Sequence, residues 1–287
     1  MARSGGPHQG GRAAPAGRWS PAGSPARAGT GRVTDKPAPL DLTPWERLRA
    51  YTDARIALGR AGTSLPTAEL LRFGQAHALA KDAVLAEADF SRLVNTQSLH
   101  LRSQAAHRSE YLRRPDLGRR LHPETAALLR AVRTEPPPDA LVVVSDGLSA
   151  VAAQQHAQAV LDVLLPGLQA LGLTVAPLLL ATQARVALAD EAAELLGARL
   201  VIHLIGERPG LSSPDSLGAY LTYGPKPGMP DSARNCVSNI RPAGLDAGVA
   251  ARRLLYLTGE ALRRGLSGVE LKDDSVEVGE TLELEPG

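Results

Sequence analysis

Three clusters of residues could do chemistry, and each directly follows an apolar run or the turn after one. The first is Ser145-Asp146-Gly147-Leu148-Ser149. Ser or Asp there can cap a following helix and Gly permits a tight turn, while the helix N-terminus offers free N–H groups to a phosphate or an amide. The second is Gln183-Ala184-Arg185-Val186-Ala187-Leu188-Ala189-Asp190. By residue type its Val186 reads as core. The third is Gly206-Glu207-Arg208-Pro209-Gly210. There Glu207 reads either as half of a solvated ion pair with Arg208 or as a hydrogen-bond acceptor at a binding site. Cys236, the sole cysteine, reads by default as a small buried hydrophobe. A nucleophilic role would need a nearby base, and its neighbours Asn235 and Val237 supply none.

These clusters need elements to hold them. Ala140–Ser145 (ALVVVS), Val175–Leu180 and Arg199–Ile205 are continuous apolar runs, typical of strands buried on both faces. Helical sequence separates them at Leu148–Leu171 and Asp190–Leu196, and a closing helix is predicted over Asp246–Arg264. Strand and helix alternating at this spacing predict βαβ units and a parallel sheet with flanking helices. The clusters then fall at the carboxyl ends of the strands, where open α/β sheets bind ligands. The long stretch Ile205–Ile240, rich in Gly, Pro, Ser, Asp and Asn, lacks a helical period. It reads as an elaborate ordered loop pinned by Leu217, Tyr220, Leu221 and Tyr223, and a loop that long in a compact domain is usually functional.

Upstream of Pro136-Pro137-Pro138-Asp139 the chain reads as helical, without a clear strand. Thr43-Pro44-Trp45-Glu46 has the form of a capping box with Pro at the first helical position, predicting a helix to about Leu58. A second helix is predicted from Thr67, with helical sequence on to Leu112. A turn follows at Arg114-Pro115-Asp116-Leu117-Gly118, and another helix after His122-Pro123-Glu124. Trp45, Leu48 and Tyr51 read singly as core. Residues 1–40, with eight Gly and six Pro, cannot bury enough apolar surface to offset chain entropy. They read as a disordered, solvated extension rather than a targeting tail. The organisation expected is therefore a tail over 1–40, a helical region over 41–135, a sheet domain over 136–273 and an acidic end over 274–287.

Composition narrows the function. Lys and Arg number 32 against 30 Asp and Glu, but residues 1–40 hold six of the bases and one acid, leaving 26 against 29 for the rest. The basic character belongs to the tail, which argues against a nucleic-acid-binding face. A single cysteine excludes an intramolecular disulfide and a multi-cysteine zinc site, and a reduced intracellular compartment is the simplest home. No apolar run is long enough to span a bilayer, and no secretory signal is read at the N-terminus. The chain has no G-x-G-x-x-G after a strand, no P-loop, no HExxH and no GxSxG elbow. From residues alone the reading stops at an α/β domain with an unusual binding loop.

The same residues resemble a known family. IGERPGLSSPDSLGAY followed by RNCVSNIRP closely resembles the small (light) subunit of adenosylcobalamin-dependent ethanolamine ammonia-lyase. The resemblance continues in DARIALGRAG, FGQAHALAKDAV, RRPDLGRRL, VSDGLSA, RVALADEAAELLGAR and GLSGVELKD, in that order, and spans about Leu42 to Asp273. It implies a Rossmann-like cobalamin-binding domain in a lyase that converts ethanolamine to acetaldehyde and ammonia. It also implies a large, TIM-barrel subunit that binds the substrate, with adenosylcobalamin held at the interface. Carried over by position, the cofactor-contacting residues are Val186, Glu207 and Cys236. Val186 and Cys236 would touch the corrin edge or nucleotide loop, and Glu207 would accept hydrogen bonds from cofactor amide or ribose groups. The chain has no D-x-H-x-x-G, the pattern by which some cobalamin enzymes replace the lower base, which implies that dimethylbenzimidazole stays on the cobalt. The family implies a bacterial cytoplasmic location, or a bacterial microcompartment. The rival reading is a freestanding Rossmann-like module that binds a corrinoid or nucleotide without catalysis. An ordinary NAD-type oxidoreductase is disfavoured by the missing glycine fingerprint.

Overall fold

The computed structural model describes residues 44–91, 93 and 98–275. The 1–40 tail, Thr43 of the expected capping box and most of the acidic end lie outside the described residues.

Six strands form one sheet: β1 Ser98–Arg102, β2 Ala140–Ser145, β3 Leu178–Thr182, β4 Leu200–Gly206, β5 Leu217–Tyr223 and β6 Arg234–Ile240. Their order is β1-β3-β2-β4-β5-β6. The first four are mutually parallel, and β5 and β6 add as antiparallel neighbours. The fold is thus mixed α/β with a mostly parallel sheet.

The two faces of the sheet explain the apolar runs. Val142, Val144, Ile202 and Leu204 pack against helices α5 Ala150–Ala170 and α7 Ala247–Arg264. Leu141, Val143, Leu179 and Val201 point the other way, onto α4 Pro123–Ala131 and α6 Leu188–Leu196. Every residue of β2 and β4 is buried. At about 1.5–3 kcal/mol per buried large apolar side chain, two such faces outweigh any local preference for helix.

Local chemistry sets the helix starts that matter for the site. Ser149 caps α5 by accepting from the Ala152 N–H at 3.2 Å. Asp246 caps α7 by accepting from Gly248 and Val249 N–H groups at 2.9 and 3.1 Å. The remaining helices are α1 Pro44–Leu48, α2 Thr67–Leu85 and α3 Arg108–Arg113.

The structure departs from the sequence expectations in four places. The first helix ends at Leu48 with only a 3₁₀ turn, Arg49–Tyr51, beyond it, far short of Leu58. Trp45 and Tyr51 are 67% and 87% exposed, so they are not core; a short helix without a buried face has little to sustain it. Residues 98–102, read as part of a helical region, form edge strand β1 beside β3. Their alternation of Leu99 and Leu101 with polar residues is a strand pattern, but only five residues long. The third change is that β3 begins at Leu178, with Val175 contributing only an isolated bridge to Ala140. Finally, the supposed loop Ile205–Ile240 contains β5 and β6. Its anchors Leu217, Tyr220, Leu221 and Tyr223 are strand residues paired with β4.

Candidate functional site

The chain leaves β2 toward β3 on one side, whereas β4 continues to β5 on the other. Such a reversal opens a crevice at the carboxyl ends of the two diverging strands. A cavity of about 400 Å³ lies there, lined by Gly147 and Leu148 after β2, Arg185 and Val186 after β3, Ile205, Gly206, Glu207 and Arg208 at and after β4, and Tyr111 and Tyr220.

Two glycines make the crevice. Gly147 has φ of +52°, which favours glycine, and Leu148 N–H donates to the Gly206 carbonyl at 2.9 Å. A Cβ on Gly206 would lie 2.0 Å from the Ser149 carbonyl oxygen and 2.4 Å from that of Asp146. The β2 and β4 ends therefore touch backbone to backbone, and the cavity opens above that contact.

Asp146 does not cap α5. It is buried and accepts from Gln183 N–H at 2.9 Å, Ala184 N–H at 3.2 Å and Arg108 Nη1 at 3.1 Å. Arg108 also donates to the Gly147 carbonyl at 2.8 Å and, through Nε, to Val84 at 2.8 Å. One carboxylate thus ties the β2 turn to the β3 turn, and one guanidinium ties both to the end of α2. Burial pushes the Asp146 carboxyl above its ordinary range, opposed by Arg108 and by the N–H groups of Gln183, Ala184 and Gly147.

Tyr111 forms a wall of the cavity. Its hydroxyl donates to the Ala184 carbonyl at 2.9 Å, and the guanidinium groups of Arg108 and Arg185 sit over its ring at 5.0 and 4.7 Å. Burial raises its phenol well above the ordinary value, so it is a neutral donor.

His203, in the middle of β4, reaches Ser145 Oγ through Nε2 at 2.7 Å and the Val186 carbonyl through Nδ1 at 3.2 Å. Burial drives its pKa down to about 4, with the charge of Arg234 acting in the same direction. The imidazole is neutral at pH 7.

Glu207 is not paired with Arg208. Its Oε2 accepts from the Ser216 hydroxyl and from the Asn239 N–H at 3.3 Å, while its own N–H donates to the Ser216 carbonyl at 2.9 Å. Among the described residues Oε1 accepts no hydrogen bond; it lies over Gly218, where a Cβ would come within 2.9 Å of it. Cys236 is exposed rather than buried. It lies opposite Tyr220 in the β5–β6 register. Desolvation raises its thiol above the ordinary range and the Glu207 charge adds to this, against a hydrogen bond from Tyr220. It is a poor nucleophile at pH 7. Among the described residues no group of His, Cys, Asp or Glu could hold a metal ion, and no helix is long and apolar enough to cross a membrane.

The family model described as "Ethanolamine ammonia-lyase light chain (EutC)" matches residues 42–272. The chain belongs to that family. Among its relatives, a protein of Azotobacter vinelandii named ethanolamine ammonia-lyase small subunit is 56% identical over 246 residues, covering 83% of this chain and 91% of the relative. Proteins of the same name from Pseudomonas putida and Ralstonia nicotianae are 53% and 51% identical, covering 84% and 83% of this chain and 92% of each relative.

Within this light-chain fold, the three residues singled out in the sequence come from three different elements. Val186 and Glu207 line one cavity, and Cys236 stands beside it as the cross-strand partner of Tyr220. Sequence reading missed Tyr111 and His203 as parts of the site, and gave Asp146 a helix-capping role instead of its bonds to Gln183, Ala184 and Arg108. Tyr111 comes from a helix over 70 residues upstream, which no local pattern relates to the β3 turn. His203 carried a signal, a histidine inside the otherwise apolar run LVIHLIG, because such a ring needs bonding partners.

Proposed function

We propose that this chain is the small subunit of an ethanolamine ammonia-lyase and works with a large subunit to convert ethanolamine to acetaldehyde and ammonia. The cavity at the β2–β4 crevice would meet part of an adenosylcobalamin held between the two chains. The observation that carries this reading is the convergence of Val186, Glu207 and the Tyr220–Cys236 pair at the crevice of a light-chain family fold.

The residues present suit part of a corrinoid. Glu207 offers its carboxylate to cofactor amide or ribose donors, while Val186, Leu148 and Ile205 offer apolar contact to its edge. A cavity of about 400 Å³ is too small to enclose the whole group, which suits an interface site that the partner completes. When bound, adenosylcobalamin supplies the radical by homolysis of its cobalt–carbon bond. This chain's residues would bind, orient and shield it. A Rossmann-like relationship is the finer reading of the four parallel strands and their crevice.

A partner of large area is supported by the N-terminal region. Trp45, Leu48, Tyr51, Leu70, Leu71 and Phe73 are all exposed there, and exposed large apolar side chains of this kind suit a protein–protein contact. This favours the subunit reading over a freestanding corrinoid module, which would not need such a surface. A bacterial cytoplasmic or microcompartment location accompanies the reading.

The test is acetaldehyde release from ethanolamine with adenosylcobalamin and a cognate large subunit, with and without this chain. Activity only with both supports the proposal. Folded partners that neither associate nor turn over would favour the freestanding module.

A further inference from the structure

The following rests on Val186 being a cofactor contact. His203 is 1% exposed and occupies a position in β4 whose same-face neighbour Val201 belongs to the apolar layer under α6. Packing alone would be served by an apolar residue at that position. A buried imidazole costs desolvation unless both ring nitrogens are bonded, and here both are. Nδ1 faces the Val186 carbonyl at 3.2 Å, and a carbonyl oxygen can only accept. Nδ1 therefore carries the proton, Nε2 accepts, and the Ser145 hydroxyl donates to it across 2.7 Å.

The three groups stand on different parts of the crevice. Ser145 ends β2, His203 lies within β4, and Val186 belongs to the turn between β3 and α6. That turn is also held by the Arg185 N–H donating to the Gly118 carbonyl at 2.8 Å. Asp146 ties the start of the turn to β2 through the Gln183 and Ala184 N–H groups, and the Val186 carbonyl is shared with the Ala189 N–H at 3.2 Å; the imidazole is the link from β4 to that carbonyl.

We propose that His203 is a positioning residue: in its Nδ1-protonated tautomer it relays the fixed end of β2 to the Val186 backbone, and so sets the height at which Val186 meets the corrinoid. It touches no cofactor itself. Ser145 serves as the donor that selects the tautomer.

Three substitutions separate positioning from packing. An asparagine side-chain amide overlays Nδ1, so His203→Asn keeps a donor for Val186 and loses the acceptor for Ser145. A glutamine amide overlays Nε2, so His203→Gln keeps the Ser145 bond and loses the Val186 bond. His203→Leu loses both. The readout is the Kd for cyanocobalamin of the assembled two-subunit complex, by equilibrium dialysis, with the Tm of each variant. The expected result is a Kd within about threefold of the unsubstituted complex for His203→Asn, and a rise of about tenfold or more for His203→Gln and His203→Leu. Equal Kd values for all three, or a Kd that follows Tm alone, would overturn the proposal. If the variants fail to assemble, ¹⁵N-histidine spectra of the unsubstituted chain decide. An Nδ1-protonated, neutral His203 supports it, and an Nε2-protonated one overturns it. An unsubstituted complex that binds no cyanocobalamin would instead overturn the Val186 reading, and this proposal with it.

Discussion

Arg234 and Asp190 give a prediction that follows closely from geometry. Arg234 opens β6, the strand that carries Cys236, and Asp190 lies in the first turn of α6, just after Val186. Nη1 and Nη2 donate to Oδ1 and Oδ2 at 2.5 and 2.6 Å, and Thr222 Oγ1 and the Met229 carbonyl each accept a further bond at 3.1 Å. The side chains are 2% and 1% exposed. In Arg234→Met a buried carboxylate loses its cation, and in Asp190→Leu a buried guanidinium keeps only the exposed Asp231 carboxylate at 3.6 Å. Each should cost about 3–5 kcal/mol. The double variant Asp190→Leu/Arg234→Met removes both charges and their desolvation together, so its loss should be about 2 kcal/mol or less. That is far below the sum of the singles, a coupling of several kcal/mol. Urea unfolding followed by circular dichroism, with m-values compared across the four proteins, measures the cycle. Additive losses, or a single substitution costing under about 1 kcal/mol, would show that the pair is not a buried clamp.

Other predictions concern the crevice. Gly206→Ala should cost about 3 kcal/mol or more, because its Cβ would sit 2.0 Å from a carbonyl oxygen that the β2 turn cannot move cheaply. Gly74→Ala, in helix α2 with nothing within 4 Å, should instead gain about 0.5–1 kcal/mol; thermal unfolding of the two contradicts the packing argument if they respond alike. His203 titrates near 6.5 when unfolded and about 4 when folded. Between those values the unfolded chain binds the extra proton, so stability falls as pH drops through that window, by at most about 3 kcal/mol. Unfolding from pH 7 to 4 should therefore be steeper for the unsubstituted chain than for His203→Asn, and equal slopes would contradict it. Cys236, with its raised thiol, should alkylate more slowly with iodoacetamide at pH 7 than free cysteine, and more slowly still in the assembled complex. Fast labelling at pH 7 would show a thiolate that the geometry does not support.

The parallel core was legible because its strands are buried on both faces, so the apolar runs at Ala140–Ser145 and Leu200–Gly206 carry the signal without help from context. The start of the closing helix at Asp246 was legible for a related reason, since its capping bonds are local, whereas α5 starts at Ala150, after its Ser149 cap, two residues later than the expected Leu148. Strands β1 and β6 were not. SLHLR is too short for its alternation to outweigh helical surroundings, and in RNCVSNI only Arg234, Val237 and Ile240 are buried. Both strands exist because a neighbouring strand offers them a ladder, which is tertiary information. The site divides the same way. Glu207 stood out by its place after a buried strand, whereas its bonds to Ser216 and Asn239 depend on the β5–β6 hairpin that was read as loop. Val186 looked like core by type, and only the family resemblance or the folded crevice marks it.

The proposed cofactor site is one that this chain completes with its partner, using the Glu207 carboxylate. The most direct measurement is the affinity for adenosylcobalamin, by equilibrium dialysis, of the large subunit alone, of this chain alone and of the two together, the last repeated with Glu207→Ala. The account predicts tight retention only when both chains are present, and a Kd raised about tenfold by the substitution. Equal retention by the large subunit alone, or a loss of less than about twofold in Glu207→Ala, would contradict it.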